Sequence, residues 1–159
     1  MSKSNYERMI QLAEDTFAVK NDPEQLDVNE EVIEHLQKIH QATVSEYDDG
    51  NGPAAWIIMI PTTQELMSQF LLKNISEKEL VERTPLHHTY EAVYLCSAMV
   101  LEEYRRKGIA KKLSMNALEK ILKEHPIKSL FVWAFTKEGD LGSEALAKAM
   151  SLPLYKKQE

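Results

Sequence analysis

Cysteine is nearly absent from this chain: Cys96 stands alone among 159 residues. No intrachain disulfide can form, which agrees with a reducing compartment. Cys96 also lies inside an apolar run, where a buried thiol behaves as a small inert hydrophobe. Long hydrophobic runs are missing. The longest, Ala54–Pro61 and Ala92–Leu101, fall well short of the roughly 18 residues that span a bilayer. The opening residues Met1-Ser2-Lys3-Ser4-Asn5-Tyr6-Glu7 carry no apolar h-region, so no secretory signal is read and a cytoplasmic location is expected. Excess positive charge is lacking as well: 19 Lys and Arg face 25 Asp and Glu, a net charge of -6. Nucleic acid and anionic membranes are therefore poor default partners, while a cationic substrate such as an amine is compatible. There are no internal repeats, low-complexity tracts or linkers. The length and the 43% hydrophobic content suit one domain over residues 1–159 with a sizeable core.

What is present is an alternation of helical and strand patterns. Ser4 with Glu7 forms a capping-box pattern, and Tyr6, Met9, Ile10, Ala13 and Phe17 follow at helical spacing. Asn21-Asp22-Pro23 breaks that helix. A second helix is expected from Asn29, with Val32, Ile33, Leu36, Ile39 and Thr43 on one face. Asp48 to Pro53 reads as a loop. It holds two of only five glycines. Ala54–Ile60 reads as a buried strand closed by Pro61 and Thr62. Thr63 can cap a helix carrying Leu66, Phe70 and Leu71, and Ser76 with Glu79 is a second capping box. Pro85 and His87-His88 form a loop. An apolar strand then runs from Ala92 to Leu101, a helix from Gly108 to about Glu124, and a third strand from Leu130 to Phe135. Gly139 and Gly142 are expected to mark a turn, with Ser143 capping a last helix that Pro153 ends. Strand, helix and strand from Ala92 to Phe135 imply a right-handed parallel crossover, and the class is α/β with a mixed sheet.

The most informative segment is Arg105-Arg106-Lys107-Gly108-Ile109-Ala110. A strand delivers the chain to a basic turn, and the turn opens a helix. Backbone N–H groups there lack intrahelical partners, and the helix dipole adds partial positive charge, which together suit phosphate. Gly108 has no Cβ to keep a bulky ligand off the backbone. The wider string from Ala98 to Ala110 resembles the central motif of the GNAT superfamily of N-acetyltransferases, convincingly from about Tyr90 to Trp133. That resemblance implies a GNAT-like acyl-CoA N-acyltransferase fold in which two parallel strands, here Ala92–Leu101 and Leu130–Phe135, splay apart around a pantetheine arm. It implies acetyl-CoA as acyl donor, with Met99 and Val100 meeting the pantetheine. Arg105, Arg106, Lys107, Gly108, Ile109 and Ala110 would meet the pyrophosphate. No metal is implied. Against it stands the simpler reading of a basic loop capping an ordinary strand–helix junction.

The chain departs from the family pattern at both ends. It starts with two helices where a usual member starts with a strand, and only Ser151 to Glu159 follow its last helix. A shortened sheet leaves an edge to cover, by the N-terminal helices or by a second copy in a homodimer. Amine acetylation needs a base for the amine proton, a donor for the developing oxyanion and, for the thiolate, an acid. Glu91, at the start of the central strand, is the first candidate base; its alternative is a solvated strand-end glutamate. Glu102 and Glu103 sit too near the basic turn. His87 and His88 read as a surface pair, and His35, His40 and His125 as helix-face or helix-end residues. Tyr155, in Leu154-Tyr155-Lys156-Lys157, resembles the family acid but follows Pro153, so it lies either past a helix kink or on a strand. The expected function is acetyl transfer from acetyl-CoA to a primary amine, borne by a small molecule or a protein, by direct attack. The alternative is a non-catalytic acyl-CoA-binding regulatory module.

Overall fold

A computed structural model of the chain describes residues 4–20, 30–133 and 137–157. The chain opens with α1, Asn5–Lys20, whose first turn is capped as expected: the Glu7 N–H donates to Ser4 Oγ at 3.2 Å. The second helix, α2, spans Glu30–Ile39 and stops earlier than its apolar spacing suggests. The His40 ring takes the Ala42 N–H at 2.9 Å, and Thr43 Oγ1 donates to the His40 carbonyl at 2.8 Å. These local bonds replace the next helical turn and release the chain into β1, Val44–Asp48, a strand the sequence reading did not contain.

β2 spans Pro53–Thr62 and is buried along nearly its whole length. It pairs antiparallel with β1 and with β3, Ala92–Val100. Pro61 and Thr62 belong to the strand instead of ending it; they pair with Val93 and Ala92 beyond the last β1 partner. Between β2 and β3 lie α3, Gln64–Leu71, capped by Thr63, and α4, Glu77–Arg83, whose Ser76–Glu79 capping box is complete. After β3 come a short 3-10 turn at Glu102–Tyr104 and α5, Ile109–Glu124. β4, Ser129–Val132, lies parallel to β3; β5, Leu154–Lys156, lies parallel to β4. The five strands stand in sequence order. Right-handed crossovers in that order put α5 and the last helix on one face of the sheet.

That last helix, α6, spans Lys137–Met150 without interruption, so Gly139 and Gly142 lie inside it and make no turn. Each glycine costs a helix about 1 kcal/mol relative to alanine. Burial of Leu146 and Ala147 outweighs that cost. Ser143 does not cap the helix; its hydroxyl donates back to the Gly139 carbonyl at 2.8 Å. Ser151 turns left-handed, φ 56°, and β5 follows Pro153, so Tyr155 sits on a strand. The final part of the third expected strand, Ala134 and Phe135, lies outside the described residues.

Candidate active site

The pairing of β3 with β4 runs from Ala92↔Ser129 to Leu95↔Val132. Among the described residues it stops there, while β3 runs on to Val100, still paired on its other side with β2. Among the described residues the last stretch of β3, Ser97 to Val100, is therefore paired on one side only. At the same level β3 carries a bulge, where Ile58 faces Ser97 and Met59 faces Leu95, leaving Cys96 as the extra residue. Bulges bend and twist a strand, which helps β3 turn away from its neighbour.

That stretch leads through the short 3-10 turn to the start of α5. Gly108 is the N-cap, left-handed at φ 76°, and no side chain caps this helix. The first helical bond is Lys112 N–H to the Gly108 carbonyl at 3.0 Å, so the preceding N–H groups of the first turn have no intrahelical acceptor. A Cβ built on Gly108 would meet nothing within 4 Å, so the turn faces open space. Arg105, Arg106 and Lys107 are exposed around it, and Arg106 is itself left-handed at φ 65°. Arg105 folds back: its Nε donates to the Val100 carbonyl at 3.0 Å, tying the basic turn to the end of β3. Met99 is buried and Val100 half-buried on the strand's last stretch, and Ile109 and Ala110 are half-buried on the helix. The turn is braced from outside. Arg8 of α1 pairs with Glu103 at 2.7 Å, and the Tyr104 hydroxyl donates to Asp49 at 2.8 Å. Those bonds hold the Asp49 and Glu103 carboxyls below their ordinary values. Of the eight residues expected at the cofactor, Met99 and Val100 end β3, Arg105 to Lys107 form the turn, Gly108 caps α5, and Ile109 and Ala110 open it.

The two candidate catalytic residues are not brought together. Glu91 precedes β3 on the face shared with Val93, and its carboxylate pairs with Lys128 at 2.8 Å. Tyr155 stands in register with Phe131, which is itself in register with Tyr94. Side chains alternate along a strand, so Tyr155 and Glu91 point to opposite faces. Tyr155 is 46% exposed.

On the face of Tyr94 the structure assembles a group that sequence reasoning missed. Phe70 of α3 stacks edge-on with Tyr94 at 5.0 Å, Phe131 at 5.8 Å and Trp133 at 6.2 Å between ring centroids. The Tyr94 hydroxyl donates to Glu77 Oε2 at 2.5 Å, and both side chains are fully buried. Burial, then the Glu77 charge, pushes the Tyr94 phenol well above its ordinary value and keeps it a donor. Trp133, just past the last β3–β4 pair, lies under Lys157: the ammonium is 4.0 Å from its ring centroid and 4.6 Å from that of Phe70. In the sequence Glu77 is an ordinary first-turn acid after a serine cap, and Tyr94 one member of an apolar run. Nothing one-dimensional marks either as buried or paired.

A second concavity, about 440 Å³, lies at the other end of β3, among His40, His87, His88, Tyr90, Glu124 and His125. The ligand atoms of His40, Glu124 and His125 come within 4.8 Å of one another, close enough for a metal ion by distance. Their hydrogen bonds oppose it. The Nδ1 atoms of His40 and His125 accept the N–H groups of Ala42, at 2.9 Å, and Tyr90, at 3.3 Å. Each neutral ring then carries its proton on Nε2, and the His40 Nε2–H donates a hydrogen bond to Glu124 at 2.8 Å. An ion at Nε2 would need an imidazolate, and one at Nδ1 would strip a backbone bond.

The model of the acetyltransferase (GNAT) family matches residues 6–151. The chain belongs to that family. Among solved structures, the NatB acetyltransferase complex bound to a bisubstrate inhibitor is similar at 16% identity, over 84% of this chain and 66% of its own, with a TM-score of 0.50. Naa20 of Chaetomium thermophilum, in complex with a bisubstrate analogue, is similar at 16% identity over 81% and 60%, with a TM-score of 0.47. An aminoglycoside acetyltransferase from an uncultured soil metagenomic sample, in complex with sisomicin, is similar at 20% identity over 94% and 82%, with a TM-score of 0.46. The chain thus spans less than two thirds of the first two structures' length. No curated protein shows a significant match. The GNAT fold and the five-stranded mixed sheet agree with the class expected from sequence.

Proposed function

We propose that this GNAT chain transfers an acyl group, acetyl above all, from acyl-CoA to a primary amine by direct attack. One observation supports the reading: among the described residues β3 has no β4 partner beyond Leu95, and it leads through a short turn to an exposed helix start at Gly108 that no side chain caps. A long flexible arm ending in a pyrophosphate fits both parts. The arm would lie against the unpaired edge of β3 near Met99 and Val100. The phosphates would take the first-turn N–H groups of α5, with Arg106 and Lys107 mobile beside them. Arg105 would steady the turn through Val100 as well as offer its remaining N–H groups.

The chemistry asks the protein to hold amine and thioester together and to polarise the carbonyl. A C–N bond forms, the C–S bond breaks, the amine gives up a proton and the thiolate gains one. Of the family-derived candidates, Tyr155 shares the face of Trp133, the residue after the last β3–β4 pair; Glu91 does not. Incubating the protein with acetyl-CoA and a mixed panel of amines tests the reading through release of free thiol. At least one amine should release thiol above the hydrolysis background. Tight CoA binding with no amine-dependent release would instead support a non-catalytic acyl-CoA-binding module.

A further inference from the structure

The cations of the basic turn are nearly matched by acids. Glu102 and Glu103 stand directly before Arg105, Arg106 and Lys107, and Asp49 reaches the same turn from the loop between β1 and β2. Acids left loose beside these cations would pair with them and leave a bound anion little to gain. Where the acids are held therefore decides what the turn can do. Two of them are held elsewhere. The Arg8 guanidinium takes Glu103 at 2.7 Å, and Asp49 accepts the Tyr104 hydroxyl at 2.8 Å and the Asn51 N–H at 3.1 Å.

Arg8 is fixed from behind. It adjoins the fully buried Met9 on α1, which packs on β2 and β3, and its other terminal nitrogen donates to the Asn5 side-chain oxygen at 3.4 Å. The same end of α1 meets the loop: a Cβ built on Gly52 would come within 3.1 Å of Asn5 Cβ. Lys107, four residues after Glu103, leans back over the Tyr104 ring, its Nζ 5.8 Å from the centroid. Arg8 first, and Lys107 to a smaller degree, hold the Glu103 carboxyl below its ordinary value. A Glu103 released by Arg8 therefore has a second cation at hand. A phosphate would have to break that new pair before it could use Lys107. We propose that Arg8 is a positioning residue for the acyl donor: it keeps Glu103 against α1, so that Lys107 stays available to the pyrophosphate. The presence of the pyrophosphate at this turn rests on the acyl-CoA reading above; the competition between Arg8 and Lys107 for Glu103 does not.

The test is a mutant cycle read by calorimetric titration of CoA at low ionic strength, with circular dichroism as the fold control. Arg8→Gln should weaken CoA about 1.5–5-fold, the range that an exposed ion pair carries, because the ligand must now break one. Arg8→Lys, which keeps a cation, should lose less. Glu103→Ala breaks the same ion pair from the other side, yet it should bind CoA at least as tightly as the parent, since no acid is released. In a Glu103→Ala background, Arg8→Gln should make no difference. In a Glu102→Ala background, which removes the same charge and leaves Glu103 in place, the loss on Arg8→Gln should persist. If both halves of the pair weaken CoA alike, the pair is a structural brace and the proposal fails. If Glu102→Ala cancels the loss as fully as Glu103→Ala does, the effect is net charge alone and the proposal fails too. A parent that binds CoA, with equal affinity in Arg8→Gln, would overturn the role of Arg8 and leave the donor site standing. A parent that binds no CoA would remove the donor reading and this proposal together.

Discussion

A carboxylate acts as a general base only where the reacting proton comes within hydrogen-bond reach. Glu91 is tied to Lys128 at the start of β3, four positions before the strand pairing ends at Leu95, and faces away from Tyr155. Loss of a working general base lowers turnover about 10²–10⁴-fold. The geometry predicts less than about 10-fold for Glu91→Gln, because only an ion pair at the rim is disturbed. Tyr155→Phe should cost more and should alter the alkaline limb of the pH–rate profile, since the phenol lies on the face of Trp133 and Lys157. Single-turnover rates with a responsive amine decide between them; a larger loss for Glu91→Gln would move the reaction to the other face. Neither residue's position was legible in sequence, because alternation fixes facing only once the register is known.

The elements were read best where local chemistry dictates them. The caps at Ser4, Thr63 and Ser76 form as their spacing suggests, because each is settled within four residues. The strand–turn–helix from Ala92 to Glu124 also stands as expected, since apolar run, glycine and helical period agree. β1 was missed because Val44–Asp48 has a mixed burial pattern and its order comes from pairing with β2. α6 absorbs two glycines because long-range packing overrides local propensity. The C-terminal end of α5 adds a pH dependence. Burial first, then the neighbouring His40, holds the His125 pKa below its ordinary 6.5; Glu124 opposes this. The folded state therefore favours the neutral ring, and the unfolded chain takes up its proton first as pH falls. Stability from this group is complete above about 6.5 and is lost as pH drops toward the lower folded value. Melting temperatures from neutral to mildly acidic buffer should fall less in His125→Gln than in the parent; identical slopes would remove His125 from the account.

At the scale of the whole molecule, the sheet separates two polar regions along β3: the basic turn beyond Val100 and the histidine concavity around Tyr90. Between them the core is closed by Phe70, Tyr94, Phe131 and Met59. No helix among the described residues is long and apolar enough to cross a membrane. Against the acidic balance of the chain, the basic turn stands as a local attraction for an anion. Calorimetric titration of CoA into the parent protein and Gly108→Glu tests the central claim most directly. The new side chain meets no atom within 4 Å and sets a carboxylate where phosphate is expected, but any side chain at φ 76° strains the backbone, so Gly108→Ala, equally strained and uncharged, is the control. The account predicts binding by the parent and binding at least about 10–100-fold weaker in Gly108→Glu than in Gly108→Ala, the equivalent of one strong charge-assisted bond, with matching circular dichroism spectra for the two variants. A folded Gly108→Glu that binds CoA as tightly as Gly108→Ala, or a parent that binds none, would contradict it.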